Sequence, residues 1–139
     1  MSTVGELELA EIKPVTKMAV RWRDLDPLGH VNHEVFLTYL EHTRDSWLDT
    51  VSGATLGPAD YVVARIEVDY MAEIRLEAGH VIGRCRLREM GNTSFKTDEL
   101  LTLPDGAVAA RAMAVLVMWD ATTKNPRGLT DQEREALAA

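Results

Sequence analysis

The chain has 139 residues, 46% of them hydrophobic and 27% charged, which suits one soluble globular domain with its own core and is too short for two. A formal net charge of -7 excludes the broad basic field of a nucleic-acid surface, although a phosphorylated small molecule needs only a local basic cluster. A single cysteine, Cys85, excludes a disulfide framework and a thiolate metal cluster.

The opening stretch MSTVGELELAEIK has neither a positive start nor an unbroken apolar run, so it does not read as a signal peptide. Residues 1–12 are expected to form a loose acidic arm on a single domain spanning 1–139. No segment approaches the length of a membrane span, so the expected location is the cytoplasm, with neither membrane nor nucleic acid as a partner.

From Pro14, KMAVRWRD alternates, with Met18, Val20 and Trp22 on one face and Lys17, Arg21 and Arg23 on the other. This pattern predicts a half-buried strand ending near Asp24. DPLG then has turn chemistry, with a proline of preset φ and a glycine free to adopt positive φ. Next the period changes to three and four. Val35, Phe36, Tyr39, Leu40, Thr43, Trp47, Leu48 and Val51 form the stripe of a long amphipathic helix from about Asn32 to Ser52, closed by Gly53. Glu41 and Arg44, one turn apart, are expected to pair on its outer face.

The remainder is strand-like. In RIEVDYM, Ile66, Val68 and Tyr70 alternate with charged residues, and in HVIGRCRLREM, Val81, Cys85 and Leu87 oppose Ile82, Arg84, Arg86 and Arg88. MGNTS and PDG are turns around the strand FKTDELLTL. AVAARAMAVLVMW is apolar at nearly every position, as in a strand covered on both faces. Thr130 and Glu133 have capping-box spacing, which predicts a short helix over 130–138. One apolar helix followed by strands joined largely by tight turns argues for an α+β fold in which an antiparallel sheet of about five strands wraps the helix.

The chemistry concentrates in RDLDPLGHVNHEVF, at the helix start. The first N–H groups of a helix lack internal partners and carry the positive end of its dipole. Asn32 is placed to cap one of them. The others, around His33, can bind an anion or a polarised carbonyl oxygen. Asp26, on the turn before them, supplies a carboxylate. Together these are the two parts needed to attack an activated acyl group. A simple cap is the competing explanation, but a cap needs one side chain and this stretch holds five candidates.

Residues 20–44, VRWRDLDPLGHVNHEVFLTYLEHTR, resemble the signature of the 4-hydroxybenzoyl-CoA thioesterase-like branch of the hotdog-fold acyl-CoA thioesterases. The shared features are Asp-x-Asp at a strand end, a glycine turn, an Asn/His/Tyr group at the helix start and Tyr-Leu-Glu-x-x-Arg within the helix. The resemblance implies a hotdog fold and hydrolysis of an acyl-CoA to free acid and coenzyme A. It implies Asp26 as the catalytic carboxylate and a backbone N–H at His33 as the group that polarises the carbonyl. It further implies a homodimer or homotetramer with sites at subunit boundaries. Two positions depart from the family pattern: His33 follows Asn32 where a second asparagine is frequent, and Phe36 replaces a frequent tyrosine. A backbone donor tolerates the first change.

The remaining candidates are substrate contacts. His30 holds the turn or lines the substrate channel. Arg84, Arg86 and Arg88 form a basic row suited to coenzyme A phosphates or to a solvated edge, with Lys124 and Arg127 as rivals. Thr93 and Ser94 lie on a turn that a neighbouring subunit's site can approach. His30 and His33 lack a third ligand, so no metal is expected. No cofactor is expected beyond coenzyme A as part of substrate and product, with acyl carrier protein as the other possible carrier. A non-catalytic acyl-CoA or fatty-acid binding protein is the alternative. A hotdog hydro-lyase acting on a 3-hydroxyacyl thioester ranks below it, because the histidine and carboxylate it needs are not evident.

Overall fold

The computed structural model describes residues 9–138. Its organising element is helix α1, His33–Ser52. Asn32 caps it by accepting from the Glu34 N–H at 3.0 Å, and Gly53 ends it in the left-handed conformation at φ 59. Its inward stripe is Phe36, Tyr39, Leu40, Thr43, Arg44, Trp47, Leu48 and Ser52, all buried.

Around this helix runs an antiparallel sheet of β1 (Thr16–Ala19), β2 (Tyr61–Tyr70), β3 (His80–Met90), β4 (Ser94–Thr102) and β5 (Val108–Asp120). Its order is β1-β3-β4-β5-β2, and the short β6 (Asn125–Pro126) pairs with the end of β5. A second helix, α2 (Asp131–Ala138), follows. Its capping box is present: Thr130 Oγ1 accepts from the Glu133 N–H, and Glu133 accepts from the Thr130 N–H. This is the α+β hotdog architecture.

The core has two halves along the helix. Phe36, Tyr39 and Leu40 pack with Val81, Leu101 and Ala110, while Trp47 and Leu48 pack with Cys85, Phe95 and Leu116. Each large apolar side chain buried there contributes roughly 1.5–3 kcal/mol. The sheet packs tightly on the helix at Gly83, where a Cβ would sit 1.9 Å from Thr43 Oγ1.

Four expectations are corrected. The first strand stops at Ala19, and residues 22–24 form a 3-10 turn. Asp24 pulls the chain inward by accepting from the Arg21 N–H and guanidinium, which leaves Trp22 80% exposed rather than beside Met18. Arg44 does not meet Glu41 on the outside, because it lies on the buried stripe and pairs with Glu99 of β4. The segment 71–79 is not a tight turn. It carries the chain from β2 at one sheet edge across to β3, with Ile74 fully buried. On β5 the inner residues are buried, whereas Met113, Val115 and Val117 on the outer face are only half-buried. Of the expected arm over residues 1–12, residues 1–8 lie outside the described residues; Leu9 is buried and its carbonyl accepts from the Ile12 N–H.

Among the described residues no helix is long and apolar enough to cross a membrane.

Candidate active site

The turn from Asp26 to His30 is built by its own backbone. Gly29, at φ 86, donates its N–H to the Asp26 carbonyl at 3.0 Å, and the Asp26 N–H donates to the His30 carbonyl at 2.8 Å. A non-glycine residue would be strained at that φ. The turn is then fastened to its surroundings. The Asn32 N–H donates to the Asp24 carbonyl at 2.9 Å, and the Val31 N–H donates to the Ile74 carbonyl at 2.7 Å. The 71–79 crossover therefore acts as a splint beside the turn, also forming a bridge between His30 and Arg75.

Beneath this frame Asp24 is buried, accepting from Arg21 and, at 2.7 Å, from the Tyr39 hydroxyl. Burial pushes its carboxyl pKa up, but the bonds from Arg21 and Tyr39 favour the charged form and hold it below the usual value. Tyr39 is driven upward by burial and by the same bond. Asp24 thus serves as an internal anchor for the turn and does not line the cleft.

Asp26, His30, Val31, His33, Phe36, Tyr70, Met71, Ala72 and Glu73 line a cleft of about 360 Å³. Asp26 Oδ1 accepts from the Leu28 N–H at 2.9 Å, and Oδ2 stands 3.0 Å from His30 Nδ1. His33 is the first helical residue. Asn32 takes the Glu34 N–H with its side chain and the Val35 N–H with its carbonyl, and among the described residues no acceptor takes the His33 N–H. The Tyr70 hydroxyl donates to the His33 carbonyl at 3.3 Å, and its ring meets Phe36 edge-on at 5.1 Å. A carboxylate, an unpaired helix-end donor and an apolar wall thus share one opening.

Asp26, His30 and His33 come together there, whereas the other candidates stand elsewhere. Asn32 uses its carboxamide oxygen on the cap and does not line the cleft. Arg84, Arg86 and Arg88 lie on β3: Arg84 donates to Thr102 Oγ1, and Arg86 and Arg88 both contact Asp98. Arg127 makes a two-bond pair with Glu133. Thr93 and Ser94 are at the opposite end of the sheet, since Ser94 pairs with Val117 while Tyr70, at the cleft, pairs with Ala110. Cys85 is buried, and burial pushes its thiol pKa well up, which suits a core residue. Among the described residues no three His, Cys, Asp or Glu side chains are grouped to hold a metal ion.

The cleft residues that sequence reasoning missed are Tyr70 to Glu73. Their only local signal is the exposed aromatic ending β2, because the crossover that brings them to the turn is a long-range feature.

Residues 20–137 match the thioesterase-like superfamily. The chain is 29% identical over 126 residues to the long-chain acyl-CoA thioesterase FadM of Escherichia coli, covering 88% of this chain and 95% of that protein. It is 37% identical to a thioesterase from Thermus thermophilus whose crystal structure is complexed with coenzyme A and Zn, with a TM-score of 0.79 over 88% of this chain and 90% of that one. A predicted thioesterase from Bacillus stearothermophilus is 25% identical, with a TM-score of 0.79 over 89% and 92%. With fold, signature and nearly the whole length in agreement, this chain belongs to the thioesterase-like superfamily and is a hotdog-fold thioesterase.

Proposed function

We propose that the protein hydrolyses acyl-CoA thioesters to free acid and coenzyme A, with Asp26 as the reacting carboxylate and the His33 N–H as the oxyanion donor. The observation that carries this reading is that both groups open onto one cleft, held there by separate elements fastened to each other. As the thioester carbonyl is attacked, its electron pair moves onto oxygen, where the His33 N–H and the positive helix end stabilise it. In the nucleophilic route an Asp26 oxygen bonds to the acyl carbon, and collapse expels the thiolate. Water then cleaves the anhydride and frees Asp26. In the general-base route Asp26 takes a proton from water as the hydroxyl oxygen adds, and the thiolate leaves with that proton. The geometry suits both.

Val31, Phe36, Tyr70, Met71 and Ala72 offer the acyl group an apolar wall. Among the described residues no strand pairs with the outer edge of β2, which favours pairing with a second copy. Two-fold antiparallel pairing of β2 with its copy sets the Tyr61 end of one chain beside the Tyr70 end of the other. Thr93, Ser94 and Arg127 lie at the Tyr61 end, so this arrangement brings them towards the neighbour's cleft, where Arg127 would have to exchange its pair with Glu133 for a coenzyme A phosphate.

The test is thiol release from short, long and aromatic acyl-CoAs by the parent and by Asp26→Asn. Turnover in the parent that falls by roughly 10²–10³ in a folded variant is expected, the scale of losing one positioned acid–base or electrostatic group. Binding of acyl-CoA without turnover in either protein would make this a binding module instead.

A further inference from the structure

The inner face of β2 carries Ile66, Val68 and Tyr70, and their partners across the ladder on β5 are Ala114, Ala112 and Ala110. The alternating stretch ARAMA therefore puts only methyl groups on that face of β5, where strands usually place larger side chains. Helix α1 packs chiefly on β1, β3 and β4, whereas β5 and β2 form the far side of the sheet. Ile66 and Val68 are accordingly only half-buried, although they point to the core side. The result is an apolar shelf floored by alanine that runs along β2 from its Tyr70 end.

Tyr70 stands at the head of this shelf, where it meets the cleft that Asp26 and His33 also line. Its ring lies edge-on to Phe36 of the helix with centroids 5.1 Å apart, within the range aromatic pairs favour, and so spans the gap between strand and helix. Backbone pairing fixes the strand beneath it. Tyr70 is in register with Ala110, and the Met71 and Ala72 N–H groups both donate to the Ala109 carbonyl. The Tyr70 hydroxyl donates to the His33 carbonyl at 3.3 Å, which is long for an O–H donor, so the bulk of the ring and not that bond fills the gap. Tyr70 is 48% exposed and Phe36 only 4%, so the Tyr70 ring is the surface an entering chain meets.

We propose that Tyr70 sets the acyl-chain length this protein accepts, by barring the chain from the alanine-floored shelf behind it. This assignment rests on the thioesterase reading and adds a substrate class, short and medium acyl chains ahead of long ones. An acyl group with its carbonyl between Asp26 and the His33 N–H follows the apolar wall until it reaches the ring. Each CH2 that such a chain buries strengthens binding roughly fourfold, so affinity grows with length only while there is wall to cover. The shelf is continuous with that wall, which makes an acyl chain its occupant once the ring is gone.

The test is kcat/KM for straight-chain acyl-CoAs of about four to about sixteen carbons. In the parent the value is expected to climb with length and then level off. Tyr70→Ala is expected to extend the climb, favouring long chains over short ones by roughly tenfold or more relative to the parent, as two further buried CH2 groups would supply. Tyr70→Val, smaller than tyrosine and suited to a strand, serves if the alanine variant does not fold. Tyr70→Phe keeps the ring and is expected to level off at the parent's length, whatever its absolute rate. A levelling point unmoved in Tyr70→Ala, or moved equally in Tyr70→Phe, would overturn the proposal. So would a Tyr70→Ala variant whose mass in solution changes while its length profile does not, because a second copy would then be what covers the shelf. A parent without turnover on any chain would remove the thioesterase reading. The length limit is then read from binding of non-hydrolysable acyl-CoA thioethers: affinity that levels off in the parent and climbs on in Tyr70→Ala supports it, and equal profiles overturn it.

Discussion

Arg44 of α1 and Glu99 of β4 meet inside the core through two parallel bonds, Nε to Oε2 at 2.8 Å and Nη2 to Oε1 at 2.9 Å. Their side chains are 2% and 0% exposed. Thr97 Oγ1 adds a further donor to Oε2 at 2.6 Å. Burial alone lowers the pKa of an arginine, but the adjacent Glu99 charge outweighs it and holds Arg44 protonated. A planar fork against a carboxylate accepts one geometry, so the pair sets the rotation of the helix against the sheet.

Removing one partner leaves a buried, uncompensated charge. Arg44→Met is expected to cost about 3–5 kcal/mol, while Arg44→Met with Glu99→Leu should recover most of that loss. Urea unfolding of the parent, both single variants and the double variant gives the coupling energy directly. Additive losses would show that the pair does not act as a unit.

Gly83 lies where the sheet packs tightly on the helix. An added methyl would meet Thr43 Oγ1 at 1.9 Å, and that hydroxyl is itself fixed by donating to the Tyr39 carbonyl at 2.7 Å. Gly83→Ala is expected to cost about 1–3 kcal/mol, as overpacking does. Adding Thr43→Ala removes the nearest atoms and should restore part of the stability in thermal melts.

Asp24 predicts an acid dependence. Its folded pKa is depressed below the ordinary 3.8, so its bonds stabilise the fold above that value, and the contribution is lost as pH falls through the lower folded one. Tyr39→Phe deletes one bond to the charged form, a loss of about 1.5–3 kcal/mol at neutral pH. The stability gap between parent and variant should be full near neutrality and shrink once the pH drops below the ordinary carboxylate range. Denaturant unfolding across acid pH checks this, and a gap independent of pH would remove Asp24 from the explanation.

Much of the fold was legible because it is encoded locally. The three-and-four spacing from Phe36 to Leu48 marked α1, Asn32 and Gly53 marked its ends, and Gly29 and Gly106 marked turns whose φ values of 86 and 92 favour glycine. Asp26 and His33 were legible for the same reason, since a carboxylate turn running into a helix start is a property of consecutive residues. Arg44 was misread because a charged residue on a helix is by default a solvated one. Only Glu99, 55 residues away, makes its burial tolerable.

By itself, then, the sequence determined the helix, its caps, the alternating strands and the polar turn that meets the helix end, because propensity, periodicity and capping act within a few residues. The tertiary structure alone decided that β2 leaves β3 for the far edge of the sheet, that the 71–79 crossover braces the turn, and that Tyr70 to Glu73 wall the cleft beside Asp26. Those outcomes depend on which strand edges pair and which charges find partners across the core, and such contacts are chosen by the whole chain when it buries its apolar surface.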